Sequence, residues 1–163
     1  MILTIRESGL REIQTGFKRL EGTLTDLRPV WPAVLDYFHE IEEEAWRTEG
    51  GSGAGGKWKA LSDNPPGHGY ASWKATLFAR RPILYLTGLL KDSLTGVASF
   101  RTIKEPMRLT EESLVPYAKF HATGTKKMPQ RSPVSITRRQ AENIGAIVGR
   151  HIQKDIRKHV GAA

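Results

Sequence analysis

Apolar residues recur at alternating spacings of three and four through Leu10, Ile13, Phe17, Leu20, Leu24 and Leu27. That is the signature of an amphipathic helix with one apolar stripe. Ser8 stands where a capping residue belongs, and Ile2-Leu3-Thr4-Ile5-Arg6 ahead of it reads as a short β-strand. Pro29 and Pro32 break or kink the helix. The same spacing then resumes through Val34, Phe38, Ile41 and Ala45 to about Trp46. Two helices, or one kinked helix, are therefore expected, with the stripe packed as core. The glycine-rich run Glu49–Lys57 reads as a flexible linker. Asp63–Gly69 reads as a second irregular stretch, and Trp58-Lys59-Ala60-Leu61-Ser62 lies between the two. A short helix is expected from about Tyr70 to Ala79, ended by Pro82.

Further on, Thr87 can cap a short helix running to Leu94. Val97 to Ile103 and Met107 to Val115 carry β-rich or alternating pieces split by Pro106, as in two antiparallel strands. Tyr117–His121 reads as a short turn of helix or strand, and residues 123–133 as a long basic loop with little reason to fold by itself. Thr137-Arg138-Arg139-Gln140 fits a capping box. It opens a last helix with Ile144, Val148, Ile152 and Ile156 on one side. The expected fold class is α+β: a small antiparallel sheet flanked by N-terminal helices and a C-terminal helix. The whole is read as one domain over residues 1–163, with flexible loops at about 49–57 and 123–133.

A chain of 163 residues with 39% hydrophobic positions can bury one core without a staple, and with no Cys it has no disulfide to use. The net charge of +8 first suggests nucleic acid. Its distribution changes that picture. Residues 1–50 carry 6 basic and 10 acidic side chains, residues 51–100 carry 6 and 2, and residues 101–163 carry 13 and 5. An acidic front and a basic back suit head-to-tail contact between identical copies. Charge begins too early for a signal peptide core, and no run of about 18 apolar residues occurs. A cytoplasmic, soluble protein without a membrane partner is expected.

Candidate chemistry is thin. Gly51-Ser52-Gly53-Ala54-Gly55-Gly56-Lys57 matches G-x-x-x-x-G-K, but Trp58 follows where a magnesium-holding Ser or Thr is needed, and an acidic helix precedes where a strand is needed. His39-Glu40-Ile41-Glu42-Glu43-Glu44 begins like H-E-x-x-H without its second His, so its carboxylates read as a solvated helix face. The remaining histidines are dispersed, and no G-x-S-x-G elbow occurs. No enzyme, metal or cofactor is expected. The basic C-terminal half leaves one rival, a nucleic-acid-binding module, although it lacks the interleaved exposed aromatics of a single-strand binder.

Several segments together resemble a known family. They are Trp58-Lys59-Ala60-Leu61-Ser62, a stretch holding Lys74, Thr87-Gly88-Leu89-Leu90-Lys91-Asp92-Ser93, Tyr117-Ala118-Lys119-Phe120-His121-Ala122-Thr123-Gly124, and Pro129-Gln130-Arg131 before a closing helix. In order and spacing, over roughly residues 36–159, they are similar to the phage virion morphogenesis family of tail completion proteins. The pattern carries over onto Trp58, Thr87, Gly88, Leu90, Ser93, Tyr117, Ala118, His121, Gly124 and Arg131. Two departures stand out: Ala122 where the family often has Gln, and Ser132-Pro133-Val134 where Pro and Phe commonly follow the arginine.

The resemblance implies a structural protein at the head-proximal end of a phage or prophage tail, made in the bacterial host cytoplasm and located in the virion tail or neck. Such proteins are similar to tail terminators, which form homo-oligomeric rings, commonly hexameric. It implies tail tube or sheath proteins and head–tail connector proteins as partners, DNA passing through the lumen, and no catalysis or cofactor. Lys126, Lys127, Arg131, Arg150, Lys154 and Arg157 on the basic side, and Glu42 and Glu43 on the acidic side, are the expected assembly contacts.

Overall fold

The structure is a computed structural model that describes residues 24–78 and 81–160, together with the separate positions 15, 18, 21 and 22. The strand expected at residues 2–6 and most of the first apolar stripe lie outside the described residues. The described positions of that stretch, Thr15, Lys18, Glu21, Gly22, Leu24 and Thr25, are helical.

Two helices part at the prolines, as expected: Thr25 is helical, Asp26 and Leu27 are not, and the prolines stand at the opening of the next helix. A 3-10 turn, Arg28–Val30, leads directly into α1, Trp31–Arg47, with Pro29 and Pro32 in the first positions of each. A proline there loses nothing, because the first N–H groups of a helix have no partner within it. Asp26 fixes the entry: its carboxylate accepts from the Arg28 backbone N–H at 3.0 Å and pairs with the guanidinium. At the far end the Gly50 N–H reaches back to the Ala45 carbonyl at 2.7 Å, with Glu49 held at φ +51. This is a Schellman closure, with a glutamate where glycine is usual.

α1 buries one face along its whole length: Trp31, Val34, Leu35, Ile41, Glu42, Ala45 and Trp46. Its first turns, with Val30, pack on Ile144, Ile147 and Val148 of the C-terminal helix and on Leu109. Its last turn brings Trp46 edge-on to Trp58, ring centroids 5.2 Å apart, beside Leu90 and Val115. Two apolar clusters thus share one helix as their spine.

Pro106 and Met107 form the turn of a hairpin. Strand β1, Phe100–Glu105, pairs antiparallel with β2, Arg108–Ser113, in the register Glu105 opposite Arg108 and Phe100 opposite Ser113. The hairpin docks on the start of α1: the Trp31 indole N–H donates to the Glu105 carbonyl at 2.8 Å, and the Leu27 N–H to the Pro106 carbonyl at 2.7 Å. The remaining helices are α2, Tyr70–Phe78; α3, Leu89–Asp92; α4, Ala118–Thr123; and α5, Arg138–Val160. The α+β class, with helices around a small antiparallel sheet and a long C-terminal helix, is what the pattern predicts. The capping box also forms. The Thr137 N–H donates to Gln140 Oε1 at 2.7 Å, and the Gln140 N–H to Thr137 Oγ1 at 3.2 Å. No helix among the described residues is long and apolar enough to cross a membrane.

Both stretches expected as flexible loops are folded onto the body. Residues 49–57 make successive turns, with the Gly53 N–H bonded to the Gly50 carbonyl and the Gly56 N–H to the Gly53 carbonyl. Ser135 then pins them: its carbonyl accepts from Ala54 and its hydroxyl from Gly55, at 3.3 and 2.7 Å. The glycines serve tight turns against a neighbouring segment, and composition alone does not separate that use from a linker. The 123–133 loop is closed by Thr125 and Met128, whose backbones exchange hydrogen bonds, and by Arg131 beneath it. These bonds to its own chain hold it in place.

Candidate functional site

The segments that carry the resemblance are far apart in sequence and meet around one cleft. Its volume is about 680 Å³. Its walls come from Leu61 and Ser62, from the turn Leu84–Leu90 that leads into α3, from Tyr117 and His121 around α4, and from Met128 and Pro129 of the loop. Lys74 of α2 and Arg131 also face it, and Lys127 stands at it.

Arg131 binds the pieces together. Its side chain is 5% exposed. The guanidinium donates from Nε to the Lys59 carbonyl at 2.7 Å and from Nη2 to the Ala60 carbonyl at 2.8 Å. Its backbone N–H donates to the His121 carbonyl at 2.9 Å. One residue thus joins the Trp58 segment, α4 and the basic loop. The next residue adds a further tie, since the Ser132 carbonyl accepts the Trp58 indole N–H at 2.9 Å. Gln130 Nε2 closes the other side on the Ala122 carbonyl at 2.8 Å.

Two glycines of the pattern have a backbone reason. Gly88 is the residue before α3, at φ +96. Thr87, expected to cap that helix, makes only a long contact, its Oγ1 lying 3.4 Å from the Leu89 N. Gly124 ends α4 at φ +74 and ψ 175, where a Cβ would meet the Gln130 backbone N at 2.8 Å. Leu90 is buried in the Trp46–Trp58 cluster, and Ala118 packs against it. Ser93, wholly enclosed, bonds the Leu90 carbonyl and the Ser113 hydroxyl at 2.9 and 2.7 Å, tying α3 to β2. Tyr117 is 40% exposed and stands edge-on to His121.

The electrostatics of the cleft are one-sided. Among the described residues no Asp or Glu lines it. Lys74 is 3% exposed, and its ammonium donates to the Pro82 carbonyl. Burial holds its pKa below the usual lysine value, and Arg81 and Arg131 push the same way against Glu49. Burial lowers Arg131 as well, partly offset by Tyr70. His121 is lowered by burial and then by Arg131, and its Nδ1 is enclosed with no partner. Lys74 entered the sequence reading only as part of a stretch. Its signal was a lone charge inside the otherwise uncharged helix Tyr70–Phe78.

Two expected assembly contacts are corrected. Arg131 is an internal brace: it is buried, and its guanidinium is spent on the Lys59 and Ala60 carbonyls of its own chain. Glu42, read as part of a solvated face, is 0% exposed. Both of its oxygens lack a partner, and burial, then the charge of Glu111, pushes its pKa up to about 8. Glu111 in turn accepts from His39 Nε2 at 2.9 Å. Glu42 falls seven positions after Leu35 and four after Phe38, squarely on the apolar stripe, so helical spacing pointed inward although residue type pointed outward. Glu43, Lys126, Lys127, Arg150, Lys154 and Arg157 are exposed as expected. Arg150, Lys154 and Arg157 share one face of α5. Among the described residues no group of three His, Asp or Glu could hold a metal ion. No family model, curated protein or solved structure matches this chain.

Proposed function

We propose that the chain is a structural virion protein of a tailed phage or prophage, completing or terminating the tail at its head-proximal end and helping head–tail joining as a homo-oligomeric ring. The observation that supports this reading most directly is the meeting of the family-like segments. Trp58, Leu90, His121 and Arg131 are spread over 74 positions, yet Arg131 ties the segment after Trp58 to His121, and Leu90 packs in the Trp46–Trp58 cluster.

The exposed surfaces suit assembly. Glu40 and Glu43 stand out from α1, and Arg150, Lys154 and Arg157 from α5. Opposite charges on separate elements of one subunit favour heterologous contact between copies and with tail tube, sheath or connector proteins. Light scattering on the purified chain should give a mass several times 18.2 kDa. Electron microscopy of phage lacking the gene should show tails of abnormal length or tails unjoined to heads. Normal tails on normal heads would overturn the reading. The basic face of α5 favours a second reading, a nucleic-acid-binding module. A gel-shift assay separates the two, since phosphate contacts predict affinity that falls steeply with salt.

A further inference from the structure

We propose that the cleft between α2, α3 and α4 is a binding site for a carboxylate carried on an apolar or aromatic body. Two cations are buried there, and among the described residues neither Lys74 nor Arg131 forms an ion pair. A buried charge ordinarily has a counter-charge or a full set of hydrogen bonds. An ammonium carries three donors and a guanidinium five. Lys74 places one on Pro82, and Arg131 places two on Lys59 and Ala60. The other donors have no acceptor among the described residues. The enclosed His121 Nδ1 adds a further polar atom with no partner. Glu49 is the carboxylate whose field reaches Lys74, yet it accepts from the Ile83 N–H and does not line the cleft.

The rest of the cleft defines the ligand. Leu61, Leu84, Leu86, Leu89, Tyr117 and Met128 give it apolar walls, and about 680 Å³ holds a small organic molecule or a few side chains. A phosphate would call for a nest of backbone N–H groups or several free cations. Here the two buried cations are set in an apolar surround, with the exposed Lys127 beside them, which suits one planar, singly charged acceptor. The carboxylate can come from a free organic acid or from a docked polypeptide. The proposal does not depend on the assembly reading.

The test uses the full chain. 4-Phenylbutyrate and its amide form one pair of probes; a blocked apolar pentapeptide with one central glutamate, and its glutamine counterpart, form the other. Calorimetry and proton–nitrogen NMR follow each titration. At least one acid should bind tenfold or more tighter than its neutral counterpart and shift the signals of Lys74, His121 and Arg131. The tighter of the two acids identifies the source. Lys74→Met should remove the preference for the acid. Because that change also strands the Pro82 carbonyl, the wild-type protein supplies a second readout: the Lys74 side chain, followed by NMR, should titrate at higher pH when the acid is bound. Equal binding of acid and neutral probe, no binding by either acid, or an unmoved Lys74 titration overturns the proposal.

Discussion

Replacing Glu42 by glutamine should stabilise the protein, and by an amount that grows with pH. Glu42 is fully enclosed and its oxygens have no partner. Its pKa rises from 4.5 to about 8, first because burial disfavours the charged form and then because Glu111 is close. Between those values the unfolded chain has released the proton while the folded chain keeps it. Stability therefore falls as pH rises across that window and levels off above it. At roughly 1.4 kcal/mol per pH unit, neutralising Glu42 costs the folded state about 3 kcal/mol at pH 7 and about 5 kcal/mol by pH 9. Glutamine has the same shape and no proton to lose. Urea unfolding of Glu42→Gln beside the wild type from pH 5 to 9 should give curves that nearly coincide at pH 5. They should then diverge to those values. Parallel pH profiles would refute the reasoning.

Three further outcomes follow from local geometry. Gly124→Ala should lower stability by about 1–3 kcal/mol, because φ +74 is unsuited to alanine and its Cβ meets the Gln130 backbone; an unchanged urea midpoint would refute it. Thr137→Ala should cost about 1 kcal/mol, with hydrogen-exchange protection lost in the first turn of α5, where the capping box lies. The double change Lys154→Glu and Arg157→Glu should leave the urea midpoint within about 0.5 kcal/mol, since both side chains are exposed. On the assembly reading it should also lower the mass seen by light scattering.

What could be read from the chain followed from how local each cause is. The capping box of α5 is a contact between residues three apart, and it appears in the structure as the sequence writes it. The hairpin is similar, because Pro106 at a two-residue turn leaves little choice of where the strands part. The turns of the glycine-rich run could not be read locally, because their partner, Ser135, lies some 80 residues away. Arg131 was misread for the same reason: its acceptors, Lys59 and Ala60, are distant in sequence. The prolines fall where the two helices part, as the spacing predicts. Proline removes a donor wherever it stands, and whether that breaks or begins a helix depends on which side of it the apolar stripe runs.

The buried charges of this fold are not equivalent, and the difference points to the cleft rather than to Glu42. Glu42 can escape its own burial cost by keeping a proton, and near neutral pH it does so, with a pKa of about 8. It then asks for no partner beyond its own chain. Arg131 has no such escape, because a guanidinium stays charged at any pH a protein experiences. Lys74 has its pKa lowered by burial but donates to the Pro82 carbonyl, beside a guanidinium that cannot neutralise. The cleft therefore keeps positive charge under conditions where the Glu42 pocket has become neutral. An unmet demand for an anion, in a space large enough to hold one, is a reason for a ligand; a neutral acid in a packed core is not. Lys74→Met and Glu42→Gln should part on this point, the first abolishing selection of acids over their amides and the second leaving it intact.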